Sequence, residues 1–479
     1  MHNPPEFADP RRWKALVAIC MAQFMLMLDI TAINVALPAI HTDLNLSRVA
    51  FTWAVSIYVL FLGGLLMLGG RLADIFGARS MILIGLLVFT LASLTSGLAQ
   101  NADMLLGGRV CQGIGAALMS PAALRTLTSM FQGEERNRAL GVWSGLGGIG
   151  FTVGLLAGGL LTSGPGWRWV FFVNIPIGVG LLVILPALVP ERRIEDADRR
   201  VDVLGAVTVT AATGSLLYGV INAGNHGWAD LGTLVPIAAA AVLYGVFALV
   251  ERIVRNPLMS PGMLLRRPVA TGAFLMFTAA GVTGGDIFIT SQYLQHLHGY
   301  SAQATGLFFL PAALASVLGA ITGGRLVGII GTRAVAFTGL ALVAIGNGLF
   351  SGLLSAHGNV FAQALPGVFL FALGGTMVFV AATTTGLAGV AQHEAGLVSA
   401  VIYTFNPTGS AVFVGAGSTV AAAGLASTPS IGGFTDAYTM FAAVAAVAAA
   451  ASIVLAPSGK PQKTGVPLAD QVRVSSSHP

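Results

Sequence analysis

Charge is what this sequence has least of. Of 479 residues only 9% are Asp, Glu, Lys or Arg, while 55% are hydrophobic; an ordinary soluble domain carries about 25% charge. The mean hydropathy of +0.82 excludes a chain of soluble domains and places it in a bilayer. There are two cysteines, Cys20 and Cys111, both inside apolar runs, and they read as packing residues rather than a disulfide or a metal pair. The phosphate loop GxxxxGK[ST] is missing, which argues against an ATP-driven pump. No metal-ligand or nucleophile–base spacing stands out, so neither a cofactor nor an enzyme activity is expected. No polar stretch is long enough to be a soluble signalling domain. The net charge of +5 does not point to nucleic acid, because of where the charges sit.

What the sequence has is apolar runs of about 20 residues, the length that crosses a bilayer. Fourteen can be read, with cores near 13–37, 50–70, 80–99, 104–126, 139–162, 168–190, 203–223, 232–254, 269–293, 303–327, 333–355, 361–388, 395–424 and 436–457. If the N-terminus is cytoplasmic, 21 of the 24 Lys and Arg fall in inner segments, as the positive-inside rule demands. Both termini are then cytoplasmic, with a short tail at 1–12 and a polar tail at 458–479 that reads as disordered.

An internal repeat divides the chain. "GGRLADIFGAR" (69–79) returns as "GGRLVGIIGTR" (323–333), identical at seven of eleven positions and offset by 254. Setting aside the spans at 203–254, an N-terminal six-helix half (13–190) and a C-terminal one (269–457) remain. Parallel halves of this kind characterise transporters that rock around a midplane site.

Five stretches carry a specific resemblance: "LDITAINVALP" (28–38), "GRLADIFGAR" (70–79), "GRVCQGIGAA" (108–117), "WRWVFFVNIPIG" (167–178) and "YLQHLHGYSAQATGLFFLP" (293–311). With them the chain resembles a major facilitator superfamily transporter, in the fourteen-spanner drug:proton antiporter (EmrB/QacA-like) branch. The resemblance implies an all-α polytopic fold of two six-helix halves plus two inserted helices. It also implies proton-driven efflux of hydrophobic or cationic drugs from the cell membrane, by a chain expected to be monomeric. An uptake permease on the same scaffold and a non-transporting sensor are the alternatives.

In the 70–79 loop, Gly70 and Gly77 permit a tight turn, and Asp74 can cap a helix or pair with Arg79. The resemblance makes this loop a conformational latch, although Ile75, Ala78 and Ser80 stand where basic residues are usual in the family. Gly150, Gly154 and Gly158 recur every four residues, with Gly159 beside them, and allow close helix packing. The family's exporters carry a Gly-Pro pair here, whereas Leu155 follows Gly154.

Three charges lie well inside the bilayer: Asp29, Arg109 and Asp286. Asp29 falls about 22 Å beyond Lys14 along its helix, near the midplane. A carboxylate there costs several kcal/mol, on the order of 3 by insertion scales, and marks function by default. Two carboxylates and an arginine around a water-filled cavity would make a proton relay, since desolvation favours the neutral acid and a nearby cation the anion. The resemblance has spans 1, 4, 7 and 10 of the twelve lining that cavity, where Phe24, Asn34, Gln112, Phe277 and Phe288 are candidates for an apolar, adaptable substrate surface. His296 and His298 read as solvated residues of an outer loop.

Overall fold

In hydrocarbon every backbone amide needs a partner within its own segment, so apolar runs of this length fold as helices. The computed structural model describes residues 11–131, 133–189, 202–254, 261–353, 359–390, 395–421 and 431–456. Most of the expected tails, 1–10 and 457–479, therefore lies outside the described residues. Fourteen long helical segments run through the rest: α1 Arg12–Leu44, α2 Arg48–Phe76, α3 Ala78–Gly97, α4 Ala102–Met130, α5 Gly133–Ser163, α6 Trp169–Leu188, α7 Val203–His226, α8 Leu231–Ile253, α9 Arg267–Leu297, α10 Ala302–Ile330, α11 Thr332–Leu353, α12 Val360–Gly386, α13 Ala395–Val420 and α14 Ile431–Leu455. A four-residue helix, Pro261–Leu264, precedes α9, and no strand is present among the described residues. By length and composition, eleven of the long segments can cross a membrane; α4, α5 and α13 are outside that count.

Local chemistry sets several of the ends. Ser47, Asn101 and Asp202 each accept a bond from a backbone amide of the first turn of α2, α4 and α7, at 3.1, 2.9 and 2.7 Å. Gly77 (φ 89°) turns α2 into α3, and Gly331 (φ 84°) turns α10 into α11, 254 residues later. One expected loop is different. The end of α9, Tyr293–Leu297, winds as a π turn. It brings His296 half-buried against the Phe51 ring, with centroids 6.2 Å apart, and His298 to the Tyr293 hydroxyl at 2.7 Å. These histidines are packed, not free in a solvated loop.

Helix contacts repeat along the chain. In the first half α1 packs on α5 and α6, α4 on α2 and α3, and α3 on α6. The second half has the same pairs with each number raised by eight: α9 on α13 and α14, α12 on α10 and α11, α11 on α14. The closest approaches repeat too. A Cβ on Gly85 would sit 2.6 Å from the Gly115 carbonyl oxygen, and one on Gly339 2.8 Å from that of Gly374. The inserted α7 and α8 pack on one another, and α7 lies against α2 and α13.

The halves meet chiefly through α2 with α13 and α5 with α10. Thr52 and Ser418 hydroxyls are 2.8 Å apart, and the Ser291 hydroxyl and Gln295 amide donate to the Asn34 and Val35 carbonyls at 3.0 and 3.1 Å. Phe51 packs on Phe288 at 6.1 Å. All of these lie toward the end of the bundle away from the start of α1. At that end the halves are closed on each other.

Candidate functional site

Asp29 is on the face of α1 that packs into its own half, and it is fully buried. One oxygen, Oδ2, takes a hydrogen bond from Arg109 Nη1 of α4. The other, Oδ1, accepts from Gln112 Nε2 at 2.9 Å and from Asn174 Nδ2 of α6 at 3.1 Å. Arg109 Nη1 also donates to Gln112 Oε1 at 2.9 Å, and Arg109 Nε donates to the Ala54 carbonyl of α2 at 3.1 Å. Ser93 of α3 accepts from Gln112 Nε2 at 2.9 Å and Asn174 Nδ2 at 3.4 Å. The guanidinium lies over the Tyr58 ring, 4.4 Å from its centroid, with Phe171 6.0 Å away. A carboxylate with three donors, one of them a cation, is satisfied as an anion, and five helices are tied together at this point.

Asp286 of α9, three residues beyond the position that the repeat offset gives for Asp29, is the buried acid of the second half, and it is furnished differently. It too is fully buried. Asn347 Nδ2 of α11 donates to its Oδ2 at 3.1 Å, and Oδ1 has no hydrogen-bond partner. Asn347 lies 254 residues after Ser93, the repeat offset. At the same offset from Arg109 stands the neutral Gln363 of α12, and no ion pair to Asp286 is present among the described residues. The three membrane charges thus do not gather around one cavity. Two meet in the first half, and the third is enclosed in the second.

The other expected site residues are spread over the fold. Gln112 belongs to the Asp29 network and Phe288 to the contact between halves; both are fully buried. Asn34 donates to the Ile30 carbonyl at 3.0 Å, and its Oδ1 is buried without a partner. Phe24 flanks Gly150, and Phe277 packs edge-on to Phe413 at 5.9 Å. Gly150, Gly154 and Gly158 face α1 at Met27, Leu28 and Ala32, whereas Gly159 faces Ala302 of the other half. Gly70 lies against Pro121, where a Cβ would stand 3.7 Å away. Arg79 begins α3, half-buried, but the side chain of Asp74 lies outside the described residues. In the second copy of that loop, Arg333 donates to the Ala456 carbonyl at 2.9 Å, tying the end of α14.

Ser93, Asn174, Tyr58 and Asn347 went unassigned in the sequence. Asn174 stands in the apolar run "VFFVNIPIG", and that isolation was its signal. Asn347 is likewise the lone amide of the apolar run "ALVAIGNGLF". Neither Ser93 nor Tyr58 carried such a signal, since such residues are common in membrane helices.

Paired six-helix bundles with contacts that repeat, and with a buried acid inside each, define a membrane transporter rather than an enzyme. The chain belongs to the Major Facilitator Superfamily, whose profile matches residues 19–414. It is 38% identical over 423 residues to the puromycin resistance protein pur8 of Streptomyces alboniger, covering 86% of this chain and 82% of that one. To the cephamycin export protein CmcT of Amycolatopsis lactamdurans it is 34% identical over 419 residues, covering 87% and 86%. Among solved structures, a POT peptide transporter in complex with sulfate aligns with a TM-score of 0.68 at 14% identity, covering 92% of this chain and 94% of that one. That likeness concerns the fold alone.

Proposed function

We propose that this protein exports amphipathic drugs or antibiotics across the cell membrane in exchange for protons. The observation that carries the reading is the alignment, over more than four fifths of the chain, with proteins named for antibiotic resistance and export. A buried acid with few partners, Asp286, supports proton coupling, because a carboxyl that alternates between neutral and charged forms can exchange a proton as its surroundings change.

The cycle is alternating access. With the N-terminus cytoplasmic, as the arginine distribution argues, the closed end is the outer one. Fourteen crossings return the C-terminus to the same side. Substrate enters from the cytoplasm or inner leaflet, the halves rock, the outer contacts part, and the proton taken from outside resets the carrier. A hydrophobic or cationic substrate suits helix faces rich in apolar and aromatic residues with few fixed hydrogen bonds. A single chain holds both halves of the path, so the protein acts as a monomer.

Inverted vesicles carrying the protein, with an imposed inside-acid gradient, test this. A panel of cationic dyes and neutral antibiotics is added, and the gradient followed. Some compounds discharge it in wild-type vesicles, and none does so in vesicles without the protein. If every compound leaves the wild-type gradient untouched although the protein is inserted, export by antiport is wrong.

A further inference from the structure

The two halves treat their buried acids in opposite ways. Asp29 has three donors, one of them the Arg109 cation; Asp286 has one neutral donor. Within the Asp286–Asn347 contact, two oxygens are left buried without a partner, Asp286 Oδ1 and Asn347 Oδ1. Both are acceptors when the acid is ionised. An orphaned buried acceptor costs about 1–3 kcal/mol, so two side by side need an explanation.

One proton explains both. Placed on Asp286 Oδ1, it makes the acid a donor, and the carboxamide oxygen of Asn347 is the acceptor it lacks. Together with the existing Asn347 Nδ2 bond to Oδ2 at 3.1 Å, this closes an eight-membered acid–amide ring with every polar atom of the carboxyl used. Loss of that proton leaves an anion held by one amide.

Among the described residues no charged group offsets such an anion. Facing Asp286, α14 brings Tyr438, whose hydroxyl pairs with Thr290 at 2.9 Å, and the remaining acid of α14, Asp436, points to the exposed side. From α11 the one ionisable residue is Arg333, at its far end on the Ala456 carbonyl. Neither α12 nor α13 has an ionisable side chain other than Tyr403. On α10 there is Arg325, in the segment's last turns, and on α1 Asp29, which is committed to Arg109. Phe350 stacks on Tyr438 at 4.4 Å and adds an apolar wall.

We infer that Asp286 holds the proton exchanged during transport, that Asn347 is its positioning residue, and that Asp29 with Arg109 is a fixed ion pair which does not exchange it. This rests on the antiport reading for its place in transport, though not for the protonation itself. In the exchange, the O–H bond of the acid breaks, the proton passes to water, and the electron pair stays on Oδ1. The carboxylate left behind is stable only where the half has moved to admit water, so deprotonation and rocking are linked.

The test is pH-difference infrared spectroscopy on the protein reconstituted in phospholipid bilayers. A neutral carboxylic acid has a C=O stretch that disappears on ionisation and shifts in deuterium oxide. Wild type and Asp29→Asn show a titrating band; Asp286→Asn loses it. In Asn347→Leu the band moves to higher frequency, as a carboxyl does on losing its hydrogen-bond partner, a change that a merely structural role for Asn347 does not produce. If Asp286→Asn fails to assemble, Asp286→Glu reports the same assignment through a shifted band. A wild-type spectrum lacking the band, a band kept in Asp286→Asn, or one lost in Asp29→Asn overturns the proposal. A band assigned to Asp286 in a protein through which no compound moves protons sinks the antiport reading and leaves the proton site standing.

Discussion

Removing one member of a buried ion pair leaves the other charged where water cannot reach it. In Asp29→Asn, Arg109 keeps its charge, and its Nη2 already has no hydrogen-bond partner. What remains to it is the Ala54 carbonyl, the Gln112 oxygen and the Tyr58 ring. The expected loss is about 3–5 kcal/mol of stability. Arg109→Gln strands the carboxylate in the same way, although Gln112 and Asn174 still donate to it. The double variant Asp29→Asn/Arg109→Gln removes both charges and should melt above Asp29→Asn alone. Thermal unfolding of the purified variants decides this: equal or lower melting of the double means that the two do not act as a pair. Asp29, Arg109 and Gln112 could be singled out from sequence because polar groups are conspicuous in an apolar helix. Their mutual contact could not. Whether a side chain on α1 points to the cavity or into its own half depends on helix rotation, and no hydropathy count fixes that.

At the scale of the helix, the glycines of α5 separate two kinds of close approach. A Cβ on Gly154 would strike Thr31 and stand 2.9 Å from the Leu28 backbone, inside the first half. A Cβ on Gly159 would stand 2.5 Å from the Ala302 carbonyl oxygen, across the gap between halves. Backbone cannot swing aside as a side-chain tip can. Gly154→Val should therefore cost about 1–3 kcal/mol as overpacking and lower the melting temperature. Gly159→Val should leave the first half intact and push the closed end open, seen as faster labelling of a cysteine placed at Gln295. Equal effects of the two on melting, with no change in labelling, count against this division. The four-residue spacing revealed that α5 has a smooth face. It did not reveal that one step along, at Gly159, the partner changes from α1 to α10. Helix positions were legible to within a few residues because the backbone has no other option in lipid, but the π turn at Tyr293–Leu297 leaves no trace in periodicity.

For the whole molecule the repeat was the most informative signal, since an offset of 254 already implied two halves related by sequence. It carried no information about which end of the bundle is shut. That depends on the balance of contacts between halves, and those described fall toward one end. Thr52 and Ser418 mark it, with hydroxyl oxygens 2.8 Å apart on α2 and α13. Cysteines at both positions are near enough to join, since a disulfide needs Cβ atoms about 4 Å apart. Cys20 and Cys111, buried and exposed respectively, are replaced first so that no other thiol competes. Mild oxidation of the Thr52→Cys/Ser418→Cys protein should hold that end shut and abolish substrate-driven proton movement, and a reductant should restore it. Either single cysteine variant, oxidised alongside, should keep its activity. Rocking requires α2 and α13 to part, because substrate released to the far side must pass between them. A cross-linked protein that transports at the rate of the reduced one would mean that the path opens elsewhere, and the two-half cycle would have to be redrawn around the α5–α10 contact alone.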